Sequence, residues 1–434
     1  MLYFAVTLYF VFLIYALKFD GKNASKLLII ICFFQNFVLM LLSSGIDRFL
    51  FSLLVLSKEI YVLLYICVHI RRKSYCINLF FIFSLSVLFL YLVFYGIGET
   101  KSQLLSFRQL CLPFVFVLFG YLSDFKKESL VELIFFYVKV CVFTSLFGFV
   151  ELYLGNDIWK NLGLLQYADL KNNYQFILKS DGVYLSFFTH DLYMITGTRL
   201  RRMASFCVDP VILGQLLSIG LIFSIYVKEI FYNKYYRCFS VIIISTALLF
   251  TLAKGGIIIA LFSSFVLAIC NKKRQIFTYF IILVTIMVLG IYAVHSVKYG
   301  LSGFKHLKGL ISSLYSFGDY PFGRGIGSAG NLATNYGNNS ESASGYESYI
   351  GSLIVQVGII GLLLNVILWW KLIPKKKYIR NINVILSSNL ALFFTSFVNY
   401  TAISFTSCFI YLILGGVALK LNRLYYTEHH LRAL

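Results

Sequence analysis

Residues 199–220 read RLRRMASFCVDPVILGQLLSIG, so Arg199, Arg201 and Arg202 stand just ahead of Asp209, Pro210 and a long apolar run. A guanidinium is planar, permanently charged and able to grip a phosphate through two parallel hydrogen bonds. The cluster reads in two ways: as a site for a phosphate or pyrophosphate, or as interfacial anchors whose heads snorkel to lipid headgroups. Pro210 suits the first turn of the following helix, where no intrahelical N–H bond is lost. A second stretch, YPFGRGIGSAG at 320–330, surrounds Arg324 with Gly323, Gly325, Gly327 and Gly330. Glycines this close together let backbone N–H groups approach an anion, although the GK[ST] ending of a nucleotide phosphate loop is missing. Glu347, next to Tyr346, stands at the mouth of the following apolar run, where a carboxylate is either a partner of the helix dipole or a catalyst. Lys254, in TLAKGG, either caps a tight hairpin or reaches into a site. Lys58, Glu59 and Lys139 fall inside apolar runs, and for the first two a shifted helix boundary is the expected explanation.

The elements that hold these groups follow from composition. The chain has 434 residues, 59% hydrophobic and 13% charged, whereas a soluble domain is about 45–50% apolar and about 25% charged. An integral membrane protein is expected. Stretches such as LLIIICFFQNFVLMLLSSG (27–45) and NLFFIFSLSVLFLYLVFYGIG (78–98) have the roughly 20 residues that a helix needs to cross hydrocarbon. No alternation of barrel type interrupts them, so the class is all-α. Cysteines such as Cys32, Cys67, Cys141 and Cys408 sit inside apolar runs, with neither a disulfide framework nor CxxC metal spacing. The N-terminal run reads as a first span and not as a signal peptide.

Net charge is +20, and its placement points to membrane topology in place of nucleic acid, because cytoplasmic loops collect Lys and Arg. Every second connection is basic, as at Arg71/Arg72/Lys73, Lys272/Lys273/Arg274 and Lys375/Lys376/Lys377. Spans are expected near 2–17, 27–45, 49–70, 77–97, 107–122, 130–153, 208–227, 238–253, 255–270, 275–295, 348–370, 384–400 and 401–419. That gives about 12–14 crossings in a single transmembrane domain over 1–434, with a cytoplasmic C-terminus. Two connections are long, 154–207 and 296–347, and both fall on the non-cytoplasmic side. Their mix of aromatic, Gly, Asn, Ser and charged residues predicts folded loops. On that side the positive-inside tendency does not explain the three arginines.

At these motifs the chain resembles bacterial O-antigen polymerases of the Wzy type. RRMASFCVDPVILGQLL is similar to their R-x-x-S-x-F-x-x-x-P segment, with a glycine four residues after the proline. TLAKGGIIIA resembles their short S-R/K-G hairpin, with Ala253 and Lys254 in the Ser-Arg positions. FGRGIGS followed by ESYIGSLIVQVGIIGLL resembles their second periplasmic loop and the span after it. The resemblance implies a GT-C-like membrane glycosyltransferase in the bacterial inner membrane, with its active site facing the periplasm. It would move a growing glycan from undecaprenyl pyrophosphate onto a new lipid-linked repeat unit, with membrane lipids and a polysaccharide chain-length regulator as further partners.

The pyrophosphate leaving group already activates such a donor, so neither cofactor nor metal is expected. The enzyme must place positive charge on the departing phosphates and a base at the acceptor hydroxyl. Arg202 fits the first task and Glu347 the second. Arg199, Arg201, Lys254, Arg324, Asp209 and Tyr346 would bind pyrophosphate or glycan. Tyr167, Tyr174, Tyr184 and Tyr346 would stack on sugars or anchor at the interface. Related ligases usually carry a histidine where this chain has Glu347; here the nearest upstream histidine is His306, which favours polymerase over ligase. A lipid-linked oligosaccharide flippase is the other alternative. Transporters tend to have two similar halves and charges lining the midplane, whereas here the unusual charge concentrates in the two long outer connections and no internal duplication is visible.

Overall fold

The structure, a computed structural model, describes residues 2–72, 79–172, 174–178, 181–270, 302–330, 348–373 and 380–431, with a few single positions between 283 and 299. The apolar runs are helices because a helix satisfies its own N–H and C=O groups where no water is present. In chain order these are α1 (Leu2–Ala16), α2 (Gly21–Leu42), α3 (Arg48–Arg72), α4 (Leu79–Tyr95), α5 (Thr100–Leu122) and α6 (Lys127–Leu154). Three short helices follow: α7 (Asp157–Asn161), α8 (Leu164–Leu170) and α9 (His190–Thr196). The remainder are α10 (Pro210–Tyr226), α11 (Lys234–Thr251), α12 (Lys254–Cys270), α13 (Ser302–Asp319), α14 (Tyr349–Leu372), α15 (Arg380–Ser396) and α16 (Phe405–Leu431). Among the described residues six helices are long and apolar enough to cross a membrane, those at 21–42, 48–70, 100–122, 128–154, 349–372 and 405–423. Five shorter apolar helices accompany them.

Two expectations change and a third is not reached. Lys58 and Glu59 are not displaced by a misdrawn boundary, for α3 runs unbroken through them and the Lys58 ammonium donates to Gln35 Oε1 at 2.8 Å. The break expected at 400/401 is spread over a turn, where the Asn399 side chain accepts from the Thr401 N–H at 3.0 Å and so caps the 3-10 segment Tyr400–Ile403. The expected span 275–295 lies almost wholly outside the described residues.

The chain forms two compact units, residues 1–72 with 122–257, and residues 73–121 with 258–434. In the first unit α6 packs against α2, α10 and α11. The connection from α6 to α10 is folded, as its composition predicts. It carries α7, α8, a two-stranded antiparallel hairpin pairing Ile177 with Tyr184 and Leu178 with Val183, and α9. Its Trp159, Leu164, Tyr167 and Phe187 form one buried cluster with Met40, Leu50 and Phe51 of α2 and α3. In the second unit, α14 breaks its helical geometry at Gly358, whose φ is +63°. A Cβ there would run into the Pro321 carbonyl, so the kink lets the 320–330 segment approach α14 closely.

Candidate functional site

The residue that organises the first long loop is one the sequence reading passed over. Glu151, in the last turn of α6, is fully buried. Its Oε1 accepts from the Trp159 indole N–H at 2.9 Å and from Arg201 Nη2 at 2.7 Å, and its Oε2 accepts from the Ala204 and Ser205 N–H groups, each at 3.0 Å. Four donors on one carboxylate satisfy a charge that burial alone would forbid. A negative charge near a helix C-terminus opposes the dipole, and these donors offset that cost. The only sequence signal was a lone Glu at the end of an apolar run, with no spacing to connect it to Arg201.

Arg201 is therefore committed to the protein. Besides Glu151 it donates from Nη1 to the Arg202 carbonyl at 2.8 Å and to the Phe187 carbonyl at 3.3 Å, and its guanidinium lies 4.5 Å from the Phe187 ring centroid. Burial lowers its pKa, and the Glu151 carboxylate beside it works the other way. Arg201 serves as structure where the sequence offered a substrate contact.

Arg202 is held differently. Its Nε donates to the Thr251 carbonyl at 2.8 Å and its Nη1 to the Ser186 carbonyl at 3.2 Å, while Nη2 donates to nothing among the described residues. Its own N–H bonds the Phe187 carbonyl at 2.8 Å, and the next N–H, of Met203, bonds the Phe250 carbonyl at 3.0 Å. The side chain is thus fixed at both sides with one edge uncommitted. Burial brings its pKa down to about 10, with the Asp209 charge working the other way. It remains a cation at neutral pH.

Immediately after the arginines, the 3-10 turn Ser205–Cys207 drives Phe206 between α2 and α6. There it stacks on Phe147 at 3.9 Å and Phe143 at 5.5 Å and meets Phe34 at 4.9 Å. Ser205 and Val208 have positive φ, 47° and 55°, a conformation uncommon outside glycine and most unusual for the β-branched Val208. The bonds from Ser205 to Glu151 and from Ser205 Oγ to the Thr144 carbonyl, 2.7 Å, hold the turn. Asp209 then caps α10, its Oδ1 accepting from Val211 at 2.7 Å and Ile212 at 3.2 Å, and Pro210 occupies the first turn as expected.

The TLAKGG turn meets this region through its glycines. A Cβ on Gly256 would collide with the Gly214 carbonyl, and a Cβ on Gly214 with that of Ala253. These are the glycine after Pro210 and the second glycine of the hairpin motif, so the two motifs are packed backbone to backbone. Lys254 begins α12 and is ion-paired with Asp191 of α9; their side chains are 42% and 11% exposed. Asp191 was missed because it lies in a loop whose contacts the sequence does not show. Arg199 is exposed, its guanidinium 5.2 Å from the Tyr193 ring. Tyr167 and Tyr184 are buried in the loop's own core and offer no face to a sugar.

In the second unit the glycine-rich segment behaves otherwise than its sequence implied. The N–H groups of Arg324 and Gly325 bond the Val355 and Gln356 carbonyls at 2.7 and 3.1 Å. Those of Ile326 and Gly327 bond the Tyr95 carbonyl and Gln356 Oε1 at 2.9 and 3.0 Å. These N–H groups serve docking onto α14 and the end of α4, and are not left open for an anion. The Arg324 guanidinium lies 4.6 Å from the Tyr320 ring. Tyr346 and Glu347 lie outside the described residues.

No family model, curated protein or solved structure matches the chain. The helices define the class to which it belongs, a mainly helical polytopic membrane protein.

Proposed function

We propose that the protein is a membrane glycosyltransferase that polymerises a surface glycan, moving the growing chain from undecaprenyl pyrophosphate onto a new lipid-linked repeat unit at the periplasmic face of the inner membrane. The observation that carries this reading is Arg202: a guanidinium clamped by two carbonyls, with Nη2 unbonded among the described residues, beside the turn that begins α12. A cation fixed before the reaction stabilises charge that develops on a departing phosphate without reorganising during the step. Arg202 takes that role, Arg199 adds positive charge, Lys254 stands in its ion pair with Asp191, and Glu347 is the base for the acceptor hydroxyl. A GT-C-like arrangement and a chain-length regulator belong to the same reading.

The lipopolysaccharide of a strain lacking the protein tests it. A single repeat on the core is the expected outcome. Free polymer with bare core would make the protein a ligase, and absence of any repeat would make it a flippase.

A further inference from the structure

Helix α13 occupies the start of the second long connection, and its faces are reversed from those of a loop helix in water. Gly309, Ser313 and Ser316 are buried, and α13 packs on α14, where a Cβ on Gly351 would sit 3.0 Å from Ser313 Oγ. Phe304, Leu307, Ile311 and Leu314, spaced three, four and three residues apart on one stripe, are 38–55% exposed, and Tyr315 is 77% exposed. An amphipathic helix on a water-bathed loop buries its large apolar side chains; this one buries its small residues and presents the large ones.

The helix has 18 residues but is not apolar enough to rank among the candidate spans. Its C-terminal end is tied to the end of one of the shorter apolar helices, α4. The Tyr91 hydroxyl donates to the Phe322 carbonyl at 3.2 Å, and residues 326 and 95–97 exchange backbone bonds of 2.9 Å. The flank of α4 at Phe89, Leu90, Val93 and Phe94 is itself exposed and apolar, as a lipid-facing surface is. Lys308 is exposed beside the α13 stripe, and Tyr320 and Phe322 are exposed just beyond it; basic and aromatic residues at such a margin suit the headgroup boundary.

We infer that α13 is an interfacial helix, lying in the lipid leaflet with Phe304, Leu307, Ile311 and Leu314 among the acyl chains. The occupant of its apolar face is lipid. A second copy of the chain or a soluble partner would instead have to cover the same stripe without lipid contact.

The wild-type protein in phosphatidylethanolamine and phosphatidylglycerol vesicles carrying a photoactivatable diazirine phospholipid tests this directly. After illumination and peptide mapping, Leu307, Ile311 and Leu314 are expected to carry roughly tenfold more adduct than Gly309 and Ser313, as Phe89 and Val93 of α4 do in the same sample. Adducts on α4 with none on α13 would overturn the inference, as would a cross-link between two copies through Ile311. A fluorophore attached through Ile311→Cys, with the exposed Cys67 and Cys238 replaced by Ser, provides the second measurement. Quenching by doxyl-lipid and protection from iodide are expected, and free quenching by iodide would place the stripe in water.

Discussion

Arg201 and Arg202 are adjacent in sequence yet hold different kinds of partner, and substitution separates them. Arg201→Ala leaves the Glu151 carboxylate buried with its main counter-charge removed. Breaking a buried pair from one side costs about 3–5 kcal/mol, so low protein level and a lowered Tm in detergent are expected. Glu151→Ala should behave alike, since it strands the Trp159 N–H and two backbone donors. Arg202→Ala removes two bonds to carbonyls at a half-buried position, and the protein level should hold while the lipopolysaccharide ladder collapses. Arg202→Lys keeps the charge but loses the fork, so it should rescue poorly. A normal ladder in both Arg202 variants would return that residue to structure. Glu347 is tested by kinetics with lipid-linked repeat units. As general base, its Gln variant should turn over roughly 10²–10⁴-fold more slowly and lose the acid limb of the rate profile. As dipole partner only, it should keep its activity at a cost of no more than about 1 kcal/mol of stability.

The elements were the most legible level, and their contacts the least. Apolar runs of span length marked helices, and Asp209–Pro210 marked the start of α10, because local propensity and the need to satisfy backbone in lipid act on neighbouring residues. The glycines of the two motifs looked like flexible turns, and their reason is long-range: Gly214 and Gly256 let α10 and α12 touch through their backbones. Glu151 was invisible for the same cause, its four donors coming from segments 8 to 54 residues away. Gly256→Ala must push a backbone carbonyl aside and is expected to destabilise by about 1–3 kcal/mol, measured as a fall in Tm together with loss of polymer. Gly318→Ala is the contrast. It lies inside helix α13 with nothing within 4 Å of a Cβ, so it should be neutral or stabilising by up to about 1 kcal/mol.

At the scale of the whole molecule the sequence predicts a sidedness. Lys and Arg are held back on the cytoplasmic side, so the alternation of basic connections predicts Lys272/Lys273/Arg274 and Lys375/Lys376/Lys377 on one face and the two long connections on the other. Within the 155–209 connection, Arg201 and Arg202 are held by Glu151, Thr251 and Ser186. Reporter fusions near residue 180 and residue 330 should therefore both be active only in the periplasm, and fusions after Arg274 and Lys377 only in the cytoplasm. The proposed reaction needs its undecaprenyl-linked donor on the periplasmic face, so the position of the first loop decides more than topology. A cytoplasmic reporter at residue 180 would put Arg202 on the wrong side for that substrate and remove the polymerase reading, while leaving the Glu151–Arg201 architecture of the loop intact.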